Sequence, residues 1–312
     1  MRALLIIVMC VFFMMGCNNP SEPLRIGSNR WLGYTPIYLA DELGWNKPAS
    51  IRLVEYPTAT GVIRGMHNGI LDAAFLTLDE AILLQSTGHD IEIILITNLS
   101  VGADVLYAQS YIRSLRELKG KRIALEGSTL SAYFLSKILD KAELSADEVK
   151  VANIPLYMHL DALNNGTIDA SISTAAIQNQ ALETGAIPLF TSRDLHEDIL
   201  NVLVVNRERI SPELRARIRA LWYTSLDAWL EHRTKSDPLL CKRLGIDEQS
   251  LQRILNGLVM GDKALNDQYF NQDLLAKHIK KVHAYMLSKG LLLQPFDSTL
   301  LLPSCLNGRD PC

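Results

Sequence analysis

Two stretches, His67-Asn68-Gly69-Ile70-Leu71-Asp72-Ala73 and Asn164-Asn165-Gly166-Thr167-Ile168-Asp169-Ala170, repeat one device 97 residues apart. In each, a helix-like run ends at Asn-Gly, the chain turns, and a strand-like run starts near Asp-Ala. Glycine suits such a helix end because the residue after the last turn often takes left-handed backbone. Two occurrences at matching places imply two similar α/β units. Asp72 and Asp169 read as turn or strand-start residues that bond local amides, with a cleft role as the alternative.

Working outward, short apolar runs alternate with helix-like ones from residue 24 to residue 190. Strands are expected at 24–27, 51–56, 71–76 and 91–97, with helices at 35–43, 59–67 and 79–85 between them. A second cycle has strands at 121–125, 149–154, 168–172 and 187–190, with helices from 128, from 156 and from 175. Such alternation implies mostly parallel sheets with helices on both faces. A strand at 200–205 follows. The rest is helical, with Ser211-Pro212 reading as a cap and first turn. Leu214, Ile218, Leu221, Trp222, Leu226 and Trp229 share one helical face. Leu251, Ile254, Leu255 and Leu258 are expected to form another. This tail has no sheet of its own and is expected to pack on the first unit, with Trp222 and Trp229 as core.

The 312 residues are 21% charged and 48% hydrophobic, with a net charge of −3. That balance fits a folded globular protein of roughly two domains. No basic excess exists to hold a nucleic-acid backbone, so a nucleic-acid partner is not expected.

The amino terminus adds a location. Met1-Arg2 precedes an unbroken apolar run of 13 residues, Ala3 to Met15. That is short for a membrane span, which needs about 20 residues, and suits the core of an export signal. The run ends in Met14-Met15-Gly16-Cys17, which resembles a bacterial lipobox. The resemblance implies a signal peptide over 1–16, cleavage after Gly16, an acyl anchor on Cys17 and a tether over 17–23. An ordinary signal peptide or an uncleaved anchor is the alternative. Asn18 leaves the choice of inner or outer membrane open. An exported chain can keep a disulfide. Cys305 and Cys312 flank a turn-rich Leu306-Asn307-Gly308-Arg309-Asp310-Pro311 and are the expected pair, with two free thiols as the alternative. Cys241 reads as a lone cysteine on a helix.

Ile26-Gly27-Ser28-Asn29-Arg30-Trp31-Leu32-Gly33-Tyr34-Thr35-Pro36 resembles the opening of solute-binding proteins of nitrate, taurine, sulfonate and thiamine-precursor ABC transporters. Ser100-Val101-Gly102-Ala103-Asp104 resembles that family's segment near the lobe crossover. Leu118-Lys119-Gly120-Lys121 resembles its entry to the second lobe. The likeness runs over about residues 24–235. It implies a two-lobed, type 2 periplasmic binding protein fold with a hinge between the lobes. Lobe 1 is expected over 24–108 and 205–312, and lobe 2 over 109–204. Ser173-Thr174-Ala175-Ala176 departs from the Trp-x-Pro-like element that often follows the second Asp-Ala, which leaves the solute open.

Ligands of such sheets sit beyond the carboxyl ends of the strands. Four loops are therefore expected at the cleft. The first holds Ser28, Asn29, Trp31, Gly33 and Tyr34, with an aromatic wall and a glycine permitting close approach. The second holds Thr58, Ala59 and Thr60, and the third Thr77 and Asp79. The fourth holds Gly127, Ser128 and Thr129, whose amides and hydroxyls at a helix start suit an anion. Asp79 and Asp104 favour an amine or ring nitrogen instead, so the solute is a small polar molecule, anionic or nitrogenous. Helix capping is the competing role for Thr77, Asp79 and Ser128.

The expected function is extracytoplasmic solute capture for delivery to an inner-membrane ABC permease, with no cofactor and no metal. A ligand-sensing lipoprotein signalling to a membrane protein is the alternative. An enzyme is not expected. No Gly-x-Ser-x-Gly, Walker loop or His-Glu-x-x-His occurs, and only His278 and His283 among seven histidines lie close in sequence.

Overall fold

The computed structural model describes residues 22–196 and 198–303. Cys17 and the Cys305–Cys312 pair lie outside the described residues. Eleven strands, β1 (Leu24–Asn29), β2 (Ile51–Tyr56), β3 (Ala73–Thr77), β4 (Ile91–Ser100), β5 (Asp104–Gln109), β6 (Arg122–Leu125), β7 (Lys150–Asn153), β8 (Ala170–Thr174), β9 (Ala186–Thr191), β10 (Ile199–Asn206) and β11 (Leu258–Met260), form two sheets. The first has the order β11-β4-β10-β3-β1-β2 and the second β7-β6-β8-β5-β9.

Each sheet has the same plan. A central strand pairs in parallel with the two that follow it: β1 with β2 and β3, β6 with β7 and β8. One strand delivered by a crossover then runs antiparallel, β10 beside β3 and β5 beside β8. This is the expected two-lobed α/β fold. The crossovers fall earlier than expected. The sequence reading placed residues up to 108 in lobe 1, but β5 belongs to the second sheet, paired with β8 and β9. The return strand β10 starts at Ile199, before the expected boundary at 205. An unrecognised strand explains the first error: β5 follows Val101-Gly102-Ala103 with no helix to announce it. Leu258, expected on a helical face, begins the edge strand β11. Its neighbour Gly261 packs so tightly on Ile96 that a Cβ would lie 1.9 Å from the Ile96 carbonyl oxygen.

The Asn-Gly…Asp-Ala repeat becomes a clasp in both lobes. Asp72 accepts from the Arg25 amide at 2.9 Å and from its guanidinium at 3.0 Å. Asp169 accepts from the Arg122 amide at 2.7 Å and from its Nε at 3.3 Å. In both, the arginine also reaches the carbonyl of the turn glycine, Gly69 or Gly166. Those glycines sit at φ of 66° and 69°, where a side chain would be strained. The carboxylate thus tethers the central parallel strand of each lobe, β1 or β6, to the strand that the Asp-Ala segment opens, β3 or β8. It takes up the local role, at the far end of the sheet from the cleft.

The helix Pro212–Glu231 starts at Ser211, whose side chain accepts from the Leu214 amide at 3.3 Å. Its Ile218, Trp222, Leu226 and Trp229 are fully buried against the first lobe. Each such side chain contributes on the order of 1.5–3 kcal/mol by leaving water. Both indole N–H groups are satisfied, Trp222 by the Gly261 carbonyl at 2.9 Å and Trp229 by Asp237 at 2.7 Å. Cys241 is a buried free thiol on the helix Arg233–Leu244. No helix among the described residues is long and apolar enough to cross a membrane.

Candidate functional site

The two crossovers are braced together below the cleft. Ser192 Oγ accepts from the Gly102 amide at 2.7 Å and lies 2.8 Å from Ser100 Oγ. Arg193 Nε donates to the Val101 carbonyl at 3.1 Å. Gly102 has a φ of 127°, which favours glycine at the bend. A few residues per crossover are what a hinge between lobes requires. Other bonds join the lobes. Thr60 Oγ1 donates to the Gly127 carbonyl at 3.2 Å, and Tyr285 of the tail donates to Asp140 at 2.8 Å.

Above the brace lies a cavity of about 110 Å³ walled by both lobes. One water needs roughly 10–15 Å³ by this measure, so the space suits a small solute. Lobe 1 supplies Asn29, Trp31, Tyr34, Ala59, Thr77, Glu80 and Asn201. Lobe 2 supplies Asp104, Glu126, Ser128, Leu130, Ser131, Phe134, Leu156, Ile172, Ser173 and Thr174. These residues stand at or beyond the carboxyl ends of β1, β2, β3, β6, β7 and β8, at the helix starts that follow, and on the crossover strands.

Six expected residues line this cavity: Asn29, Trp31, Tyr34, Ala59, Thr77 and Ser128. Five do not. Ser28 points into the core, its Oγ 2.6 Å from the Tyr38 hydroxyl. It follows Gly27 on a strand whose faces alternate, so it and Asn29 cannot both face the ligand. Gly33 lies beneath the wall: a Cβ there would be 2.4 Å from both Asn98 Nδ2 and Trp31 Nε1. Thr58 caps the helix Ala59–His67 by accepting from the Gly61 amide at 3.2 Å. Thr129 begins the helix that Ser128 caps, Ser128 accepting from the Ser131 amide at 3.2 Å. Asp79 is only 3% exposed and sits behind the wall, with Oδ2 unpartnered.

The lobe 1 wall is held by a buried chain of hydrogen bonds. Tyr34 donates to Asn201 Oδ1 at 3.0 Å, Asn201 Nδ2 to Asn98 Oδ1 at 2.9 Å, and Asn98 Nδ2 to the Gly33 carbonyl at 3.0 Å. Asn98 and Asn201 come from adjacent strands far apart in sequence, so no local signal marks them. Three residues lining the cavity carry a buried polar atom without a partner: Trp31 Nε1, Thr77 Oγ1 and Ser173 Oγ. Buried polar groups are rarely left so without a ligand or water.

Acids dominate the electrostatics. Burial pushes the Asp104 carboxyl up to about 6 despite the Ser100 hydroxyl that donates to it at 2.6 Å. Burial, with Asp79 beside it, pushes Glu80 up to about 8, although Glu80 accepts from the Thr77 amide at 3.0 Å. Asp79 rises to about 7 by burial, with Asp104 adding to the effect. Burial also raises Glu126. Sequence reasoning weighed Asp79 and Asp104 but missed Glu80, Glu126 and Ser173. Glu80 stands in the first turn of the helix Leu78–Ser86 and serves there as a cap.

The sequence drew attention to His278 and His283, but the ring pair in the structure is His67 and His89, 2.8 Å apart on the surface. No cluster of three or more metal-ligating side chains occurs among the described residues.

The sequence model of the NMT1/THI5-like family matches residues 31–234. No curated protein matches the sequence. Among solved structures, the periplasmic aliphatic sulphonate-binding protein SsuA from Escherichia coli superposes with a TM-score of 0.74 at 18% identity, over 91% of this chain and 98% of that one. The alkanesulfonate-binding protein SsuA from Xanthomonas axonopodis pv. citri, bound to MOPS, gives 0.69 at 19% identity, over 90% and 96%. The desulfurization enzyme DSZB gives 0.65 at 18% identity, over 92% and 98%. At these identities the likeness is one of fold, and that fold serves both binding proteins and an enzyme. With about two-thirds of its length matched by the family model, the chain belongs to the NMT1/THI5-like family.

Proposed function

We propose that this protein captures one small polar solute between its lobes outside the cytoplasm and passes it to an ABC permease. The observation that carries the reading is the interlobe cavity itself, with an unpartnered indole N–H and an unpartnered serine hydroxyl on opposite lobes. A solute bonding both would hold the lobes together, as hinge closure needs. Trp31, Tyr34 and Phe134 would shape the apolar walls, while Asn29, Thr77, Ser128 and Ser131 would replace hydration. The cavity lining offers carboxyls and hydroxyls but no thiol or imidazole among the described residues, which favours reversible capture over nucleophilic turnover. The lipobox-like Met14-Met15-Gly16-Cys17 supports an acyl anchor on Cys17 that keeps the protein at a bacterial membrane.

A thermal-shift screen of small acids, sulfonates, amines and pyrimidines, with calorimetry on each hit, tests the reading. A ligand that binds the folded form raises the melting point by mass action. Binding of one solute per chain that Trp31→Ala abolishes supports the site. Binding that survives both Trp31→Ala and Ser173→Ala would move it elsewhere. Intact-mass analysis of the membrane-extracted protein tests the anchor, and an unmodified Cys17 rejects it.

A further inference from the structure

We propose that the captured solute is a small organic cation, a protonated amine, amidine or guanidine, held by Glu80, Asp104 and Glu126. The proposal rests on the capture reading above and assigns the charge of what is captured. Three acidic residues from both lobes line one cavity, and neither Lys, Arg nor His lines it among the described residues. Asp79 stands behind them as a fourth acid, 3% exposed. Like charges so confined repel, and low-dielectric surroundings raise the cost of each. A cation removes both penalties at once, whereas a sulfonate or carboxylate would add a further negative charge.

A second observation points independently to a ligand. Ser173 is 4% exposed and lines the same cavity, and its Oγ has no partner. It gives an N–H donor an acceptor beside the carboxylates. The Trp31, Tyr34 and Phe134 rings also line the space, and ring faces attract cations. The helix start after Gly127, which the sequence matched to an anion, is offset. Ser128 already takes up the Ser131 amide, and the Glu126 carboxyl stands two residues before it. Burial raises the Glu126 carboxyl, and no ion pair reaches it among the described residues.

The test is calorimetry on the detergent-solubilised full-length protein with size-matched probes of opposite charge. Ethylammonium is set against ethanesulfonate, acetamidinium against acetate, and methylguanidinium and 1,4-diaminobutane are added. The expected result is saturable 1:1 binding of at least one cation, with the anions silent. Glu126→Gln keeps the shape of a half-buried side chain and should weaken that cation on the order of tenfold or more without lowering the melting point of the ligand-free protein. Glu80→Gln, which keeps an acceptor for the Thr77 amide, should weaken it likewise. Binding of an anion, or cation binding unchanged in both variants, overturns the charge assignment and leaves capture standing. Failure of every probe of either sign overturns both.

Discussion

Replacing Gly33 by alanine probes how closely the cleft wall is built. The added methyl would lie 2.4 Å from Asn98 Nδ2, 2.4 Å from Trp31 Nε1 and 2.8 Å from Asn98 Cγ. Carbon contacts are comfortable at about 3.5–4.0 Å, so a neighbour must move by roughly 1 Å. Gly33 is not in the left-handed region, so the effect is packing and not backbone strain. Asn98 is fully buried and tied to Gly33, Thr97 and Asn201. The Trp31 indole is half-buried and its N–H is unpartnered, so Trp31 is the group that yields. Overpacking of this kind costs about 1–3 kcal/mol. At about 2–4 °C per kcal/mol for chains of this order of size, the melting point should fall by several degrees. The displaced indole should also fill part of the 110 Å³ cavity and reduce ligand affinity. Urea denaturation gives the stability change. A double-mutant cycle with Trp31→Phe, which removes Nε1, should show a coupling of about 0.5–1 kcal/mol or more. A Gly33→Ala protein as stable as the parent, additive with Trp31→Phe, would refute the reasoning.

Acidity should stabilise the empty protein over a defined window. Asp79, Glu80 and Asp104 keep their protons to about pH 7, 8 and 6, against 3.8, 4.5 and 3.8 when free. Their contribution is therefore complete below about pH 4 and is lost as pH rises through 6–8, at roughly 1.4 kcal/mol per pH unit for each proton retained. Asp72 and Asp169 act in the opposite sense, because their arginine partners outweigh burial and hold them below the usual range, so their stabilisation fails in stronger acid. Denaturation midpoints from pH 4 to pH 9 should decline, and Glu80→Gln should flatten the decline; a rise across that range contradicts the account. Asp72→Ala and Asp169→Ala should each destabilise by about 1–3 kcal/mol, since each leaves a strand amide and an arginine without their acceptor; a loss below 0.5 kcal/mol in both, by chemical denaturation, would mean the clasp is incidental. Ser192→Ala removes the acceptor of the Gly102 amide at the crossover and should loosen the lobes, which small-angle scattering would record as a larger radius of gyration; an unchanged profile would show that the other crossover contacts suffice.

Local chemistry was readable from the chain. The Asn-Gly…Asp-Ala repeat announced two lobes because a helix end, a tight turn and a strand start are decided by neighbouring residues. Ser128 and Ser211 were readable as caps for the same reason, and the tryptophan stripe of the tail as core because burial follows helical period. The crossover positions were not readable, since β5 earns its place by pairing with β8 and β9, which lie more than sixty residues further along. The cavity's character was also a tertiary result. Asn98 meets Asn201 across 103 residues, and Glu80, Asp104 and Glu126 acquire a common purpose only when two lobes fold toward each other. Loop positions follow from strand order, which sequence period reveals. Side-chain direction within a loop does not: Ser28 turns to Tyr38 while Asn29 faces the cleft, because pleating sends successive residues to opposite sides.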